Sequence, residues 1–276
     1  MKVKRLIQKI LTFIILIIGS VMFIAPIVWM LSTSLKGEGD IFTLPPKWIP
    51  EVFQWSNYVG AVQSFPFLRY TMNSIIITVI SVVGGVFSSA FVAYAFAKLR
   101  WPGRDIWFIV LIATMMLPPQ ITMVPLFIFY SKLELVDTFL PLILPHLFGS
   151  AFYVFLIRQF YKSIPRELDE AAKIDGASEL YIWSRIYIPL SKPVLATCAI
   201  FLFMFTWNDF LGPLIYLMDP DKFTLQLGLR SFQQQYGTRW NVMMAASLLV
   251  ALPTILMFFS FQKYFIKGAA VSGIKG

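Results

Sequence analysis

Charge is what this sequence has least of. Asp, Glu, Lys and Arg make up only 13% of its 276 residues, about half the share found in an ordinary soluble domain. The single cysteine, Cys198, lies in an apolar segment and forms no internal disulfide, and no metal is expected. No Gly-x-x-x-x-Gly-Lys-Ser/Thr stretch is present, so the chain has no phosphate-cradling loop with its lysine and does not itself hydrolyse ATP. Hydrocarbon takes the place of charge: 58% of residues are hydrophobic and the mean hydropathy is +0.73.

Five long runs without charge read as membrane spans: Ile10–Leu31, Tyr70–Ala97, Ile106–Ser131, Thr138–Ile157 and Asn241–Gln262. A sixth, Val194–Met218, is interrupted by Asp209. Lipid offers no partner for a peptide group, and a helix satisfies its own, so the expected fold is an all-α membrane protein with six transmembrane helices. The first run is longer than a leader's apolar core and is expected to be a retained helix. Lys and Arg favour the cytoplasmic side. With the amino terminus inside, sixteen of the 23 fall in inside segments, so both termini are expected to be cytoplasmic. The basic excess is then accounted for at the membrane surface, without nucleic acid.

Residues 1–69 form a first helix and an outer loop rich in Gly and Pro, and 70–276 a five-helix core. Small residues in the second span, including Gly84, Gly85, Ser88 and Ser89, allow close helix contact. Prolines recur in or beside the spans: Pro118, Pro119, Pro125, Pro141, Pro145, Pro213 and Pro253. Each can simply shape a helix, and together they suit a protein with a pathway.

The polar exception is the inside segment 158–193, too long for a simple connection of ~2–8 residues. Pro165 suits a first helical turn, Glu167, Asp169 and Glu170 favour a helix amino terminus, and Gly176 suits a left-handed stop. Ser178 is a fair N-cap for a second helix, which Pro189 and Pro193 are expected to end. Ala171, Ala172 and Ala177 keep the elbow slim. It can lie on lipid headgroups as an interfacial hairpin. Its acids suit an anionic leaflet poorly, however, and fit a protein partner better.

The stretch ELDEAAKIDGASELYIWSRIYIPLSKP (Glu167–Pro193) resembles the EAA signature of permease subunits of binding-protein-dependent ABC importers. AYAFAKLRWPGRD, FLIRQFYKSIP, WNDFLGPLIYL and QKYFIKGAAVSGIKG resemble more specifically the carbohydrate-uptake permeases of the maltose-transporter type. The resemblance runs from about Tyr70 to the carboxyl terminus. It implies that the elbow is a coupling helix docked on a cytoplasmic ATPase, with Glu167, Glu170, Ala171, Ala172, Asp175, Gly176 and Ala177 at the contact. It also implies a second homologous permease chain, two ATPase subunits that hold the ATP and Mg, and an extracytoplasmic solute-binding protein that delivers the sugar. The VSGIKG ending departs from the usual family tail.

Within the spans, Asp209 is the sharpest feature, because a charge there tends to face protein or water. Trp207, Asn208 and Asp209 can bind sugar hydroxyls, or Asn208 and Asp209 can hold a broken helix together. Gln120 and Asn73 are open to the same two readings, and His146 reads as a packed helix residue. The last outside loop carries Gln233, Gln234, Gln235 and Tyr236. The resemblance places such a loop near the docked binding protein, and an ordinary solvated loop fits the composition equally well. Two other functions stay open at this stage: import of glycerol phosphate or another non-sugar solute by the same fold, and ion-coupled secondary transport.

Overall fold

The computed structural model describes residues 2–232 and 239–273. In chain order the helices are α1 (Lys2–Ser34), α2 (Ser56–Gln63), α3 (Phe67–Ala97), α4 (Arg104–Ala113), α5 (Pro119–Lys132), α6 (Leu140–Leu147), α7 (Ala151–Ser163), α8 (Glu167–Ile174), α9 (Glu179–Ile182), α10 (Ile188–Leu190), α11 (Lys192–Trp207), α12 (Leu211–Tyr216), α13 (Leu225–Gly228) and α14 (Trp240–Gly273). Among the described residues, four helical stretches are long and apolar enough to cross a membrane, and two more pairs qualify if each bent pair is one span. The total reaches six on that count, and all of the described secondary structure is helical.

Three of the expected spans are not continuous. Ile106–Ser131 divides at Leu117–Pro118, and the flanking helices meet at 96°. The cause is local: a residue before proline is excluded from the α region. Leu117 and Pro118 each precede a proline and adopt extended ψ values of 115° and 134°. The Thr138–Ile157 stretch breaks between α6 and α7, where Gly149 has φ +85°. There the Ser89 hydroxyl accepts the Ser150 N–H at 3.2 Å. The third break follows Trp207 and is described below.

The chain separates into two compact units: residues 1–67 with 228–252, and 68–227 with 253–276. The grouping of 228–252 with the amino-terminal residues has no signature in the sequence pattern. The first unit is held by buried amides. Asn57 donates to the carbonyls of Ser34 and Lys36 at 3.0 and 2.9 Å. Asn241, at the start of α14, donates to Asn57 Oδ1 at 3.1 Å and to the Lys36 carbonyl at 3.3 Å. Lys36 itself is fully buried, its ammonium 4.2 Å from the centre of the Trp29 ring.

In the second unit α3 approaches α6 and α11 at two glycines. Its glycines permit the close contacts expected of them: a β-carbon on Gly84 would collide with Leu147, and one on Gly85 would collide with Leu202. At one end of α3, Asn73 donates to the carbonyls of Asp221 and Phe223 at 2.9 and 3.0 Å. Ser74 accepts the Leu225 N–H at 2.9 Å, and Arg69 pairs with Asp221. Asp137 ties the same loop to the α5–α6 connection. Its carboxylate accepts the N–H groups of Met218 and Asp219, both at 2.9 Å, and the Lys222 ammonium at 2.7 Å.

Two outcomes are expected from these contacts. Asn57→Ala leaves the Ser34 carbonyl without its amide donor and takes the Oδ1 acceptor from the buried Asn241 amide, at a cost of roughly 1–3 kcal/mol for each group left unsatisfied, so the detergent-solubilised protein melts several degrees lower. The backbone N–H of Asp219, the Lys222 ammonium and the Met218 N–H hold Asp137 at about 2. This lowered value stabilises the fold above the ordinary carboxyl range, and the contribution disappears as pH falls toward 2. Melting curves of Asp137→Asn should be displaced downward at neutral pH and should converge on wild type at low pH.

Candidate coupling elbow and pathway residues

The elbow is closed by backbone geometry. Gly176 has φ +81° and open space around its α-carbon. Its N–H bonds the Lys173 carbonyl at 3.0 Å, and the Ala177 N–H bonds the Ala172 carbonyl at 2.9 Å. These two bonds form a Schellman stop, which requires a left-handed residue where glycine stands. Ser178 then caps the next helix, its hydroxyl accepting the Tyr181 N–H at 3.3 Å.

One detail departs from expectation. Pro189 does not end this second helix, which continues to Leu190 through a π-helical turn at Trp183–Tyr187. A proline inside a helix has no N–H to return and crowds the carbonyl four residues back. The wider turn sends the Ile188 N–H to Trp183 instead and opens room for the ring. Pro193 sits in the first turn of α11, where its missing N–H costs nothing.

The elbow's acids divide into two sets. Asp169 turns inward: the Tyr187 hydroxyl donates to it at 2.5 Å, and the Lys98 ammonium lies 3.6 Å away. Glu179 accepts from the Tyr94 hydroxyl at 2.7 Å and pairs with Lys173 at 2.6 Å. Lys98 also donates to the Ile164 carbonyl at 2.8 Å, and its side chain is only 4% exposed. Burial pulls its pKa down, while the Asp169 charge opposes that pull. Tyr94, Tyr161 and Tyr187 pack edge to face at 5.1 to 6.4 Å beneath these contacts.

Of the seven elbow residues singled out in the sequence, Glu167, Glu170, Ala171, Asp175 and Gly176 are exposed. Ala172 and Ala177 pack against the core. Exposed beside the outward acids are Leu168, Leu180 and Ile174, the last 87% exposed. An apolar side chain held that far into solvent on an ordered turn suits a docking face. The anchors Lys98, Tyr94, Tyr187 and Glu179 were not selected from the sequence. Their lone signal there is a run of tyrosines at separate places in the chain, which gains meaning only when the helices are brought together.

The polar residues of the spans serve the backbone in this structure. Asp209 sits in the break between α11 and α12, where its carboxylate accepts the Gly212 N–H at 3.1 Å. Asn208 donates to the Met204 carbonyl at 2.8 Å and accepts from Gln226 at 3.3 Å. Trp207 is 4% exposed and stacks on Phe203, with centroids 5.6 Å apart. Its ring face is therefore not open to a sugar in this structure. Asn73 is buried under the loop it holds. Gln120 is exposed just after the 96° bend.

A void of about 10 Å³ lies among Ser74, His146, Thr206, Asp209 and Thr224, room for about one water. His146 is half-buried, edge-on to Phe205 at 5.8 Å. The residues Gln233, Gln234, Gln235 and Tyr236 lie outside the described residues.

Residues 82–271 match the family model described as binding-protein-dependent transport system inner membrane component. The chain is 34% identical over 258 residues to the probable ABC transporter permease protein YurM of Bacillus subtilis, covering 91% of this chain and 83% of that one. It is 34% identical over 264 residues to the arabinooligosaccharides transport system permease protein AraQ of the same organism, covering 93% and 92%. The diacetylchitobiose uptake system permease protein DasC of Streptomyces coelicolor is 29% identical over 96% of this chain and 95% of its own. Among solved structures, a bacterial ABC transporter involved in the import of the acidic polysaccharide alginate matches with a TM-score of 0.84 at 26% identity, over 94% of this chain and 96% of that one. A helical membrane fold, a capped elbow and matches of this length converge: the chain belongs to the family of binding-protein-dependent transport system inner membrane components and is an ABC importer permease.

Proposed function

We propose that the chain forms half of a sugar-translocation pathway, paired with a second homologous permease, and that two cytoplasmic ATPase subunits drive it through the elbow at Glu167–Glu179. ATP and Mg belong to those subunits, and an extracytoplasmic binding protein presents the substrate. Both chain termini are then cytoplasmic, in keeping with the distribution of Lys and Arg. An oligosaccharide is the favoured cargo, since AraQ, DasC and the alginate importer are named for oligomeric or polymeric sugars.

The observation that carries this reading is the division of the elbow's acids. Asp169 and Glu179 fasten the base of the turn to Tyr94, Tyr187 and Lys98. Glu167, Glu170 and Asp175 stay exposed with Ile174, and outward carboxylates are available to a partner's Arg or Lys. A turn fixed at its base and chemically open at its tip can transmit force. Closure of the ATPase pair displaces the tip, the anchors carry the displacement into α3 and α9, and the helices exchange between two packings.

The test is to purify the chain with its bound subunits, reconstitute it in lipid discs with binding protein, and measure ATP hydrolysis across a panel of sugars. One class of sugar should stimulate hydrolysis. Gly176→Trp and Glu170→Arg should each reduce sugar-stimulated hydrolysis and uptake roughly tenfold or more, equivalent to about 1.4 kcal/mol of lost coupling, with helix content unchanged. Normal uptake in both variants would sink the proposal.

The anchors make a separate prediction. Tyr187→Phe removes a hydrogen bond to a carboxylate worth about 1.5–3 kcal/mol. Amide exchange across residues 167–179 should quicken by roughly one to two orders of magnitude, while exchange in the core of α3 stays as in wild type.

A further inference from the structure

Two clefts adjoin the turn between α3 and α4. The first, of about 510 Å³, is bordered by Arg100, Trp101, Arg104, Asp105 and Arg166. The second, of about 460 Å³, is bordered by Phe96, Trp101, Trp107, Val110, Leu111 and Thr114. Trp101 is common to both. Its indole N–H bonds the Ala95 carbonyl at 3.4 Å, and its ring lies 5.6 Å from Phe96, so the partition between the clefts is fixed.

The chemistry of the two clefts is opposite. In the first, Asp105 is already matched: Arg104 bonds it at 3.1 Å and Arg158 lies 3.6 Å away. Arg100 and Arg166 have exposed side chains whose guanidinium groups form no hydrogen bond or ion pair among the described residues. Two guanidinium groups without a direct ion pair therefore border one cleft. The second cleft has no charged side chain, and the surface of α4 beside it is strongly apolar, with Ile106, Trp107, Ile109 and Val110 all exposed.

We infer that these adjoining clefts form a binding site for one anionic phospholipid, with its phosphate between Arg100 and Arg166 and an acyl chain along Trp101, Trp107 and Val110. The inference rests on the inward orientation proposed above, which puts this turn at the cytoplasmic leaflet where anionic headgroups attract basic side chains. A soluble phosphate or a partner's carboxylate would engage the arginines and leave the apolar cleft without an occupant. A zwitterionic lipid would fill the apolar cleft, but its choline would bring a positive charge beside the two guanidinium groups. An anionic lipid satisfies both. Arg100 and Arg166 also border a third cleft with Asp169, Glu170, Lys173 and Glu179, so headgroup charge would be felt at the elbow.

The experiment uses the full transporter in lipid discs and reads quenching of Trp101 fluorescence by brominated lipid, with Trp101→Phe as the blank. At equal low mole fraction, brominated phosphatidylglycerol should quench the Trp101 signal with roughly tenfold higher apparent affinity than brominated phosphatidylcholine. The preference should vanish in Arg100→Gln/Arg166→Gln and persist in Arg100→Lys/Arg166→Lys, which keeps the charge and reports on folding.

Equal quenching by the two lipids would overturn the inference. So would relief of the anionic preference by millimolar inorganic phosphate, which would assign the arginines to a soluble anion. An anionic preference that survives in the Gln double variant would also overturn it. Because Gly176→Trp leaves these residues untouched, the lipid preference should survive in that variant whether or not uptake does. Failure of the coupling model is thereby distinguished from failure of the lipid site.

Discussion

A helix that breaks inside an apolar run frees peptide groups that lipid cannot satisfy, and the architecture of this chain follows from how those groups are handled. At Pro118–Pro119 two consecutive residues have no N–H at all, so the next helix begins with two fewer donors to satisfy. At Gly149–Ser150 a hydroxyl from α3 supplies the acceptor. At Asp209 a carboxylate takes the N–H of Gly212, and a β-carbon at Gly212 would collide with that carboxylate. The three breaks have three chemical solutions, each placed where the chain turns through the layer of apolar helices.

That constraint explains why the polar residues of the spans are where they are. Asn73, Asn208 and Asp209 are each engaged with a backbone group within hydrogen-bond distance. An intramembrane carboxylate is costly, and here it offsets part of that cost by terminating one helix and starting another. Residues occupied in this way set the positions at which the helices break and the loops are held.

The features legible in the sequence were those with a chemical signature of short range. Gly176 could be assigned a left-handed stop because few other residues tolerate that backbone, and Ser178 a cap because its hydroxyl reaches the next turn. The breaks at 117–118 and 148–150 were hidden because an uncharged run reports only length and apolarity, and both breaks keep the run apolar. Pro118–Pro119 carried the signal, yet proline also occurs within the intact helices α5 and α14. Pro189 shows the converse: the chain accommodates it by widening one turn. The division of the elbow's acids depends on Tyr94, Lys98 and Tyr187, which are distant in sequence from Asp169 and Glu179 or separated from them by a helical turn. No local pattern could expose it.

The anchors also decide what kind of lever the elbow can be. Contact at the tip alone would let a flexible turn absorb the motion of its partner. Here the Schellman stop fixes the direction of α8 relative to α9, and two carboxylates bind the pair to α3 and to the segment leading out of it. Lys98 is central to that connection. Its ammonium touches the end of α7 through Ile164, the elbow through Asp169 and the face of Tyr187 at 5.1 Å. Removing one member of a buried ion pair leaves the other uncompensated, which costs far more than an exposed pair would. In the proposed transporter, displacement is thus cheaper by moving the attached helices as a body than by pulling the elbow from its base, and motion at the tip is directed into the broken spans.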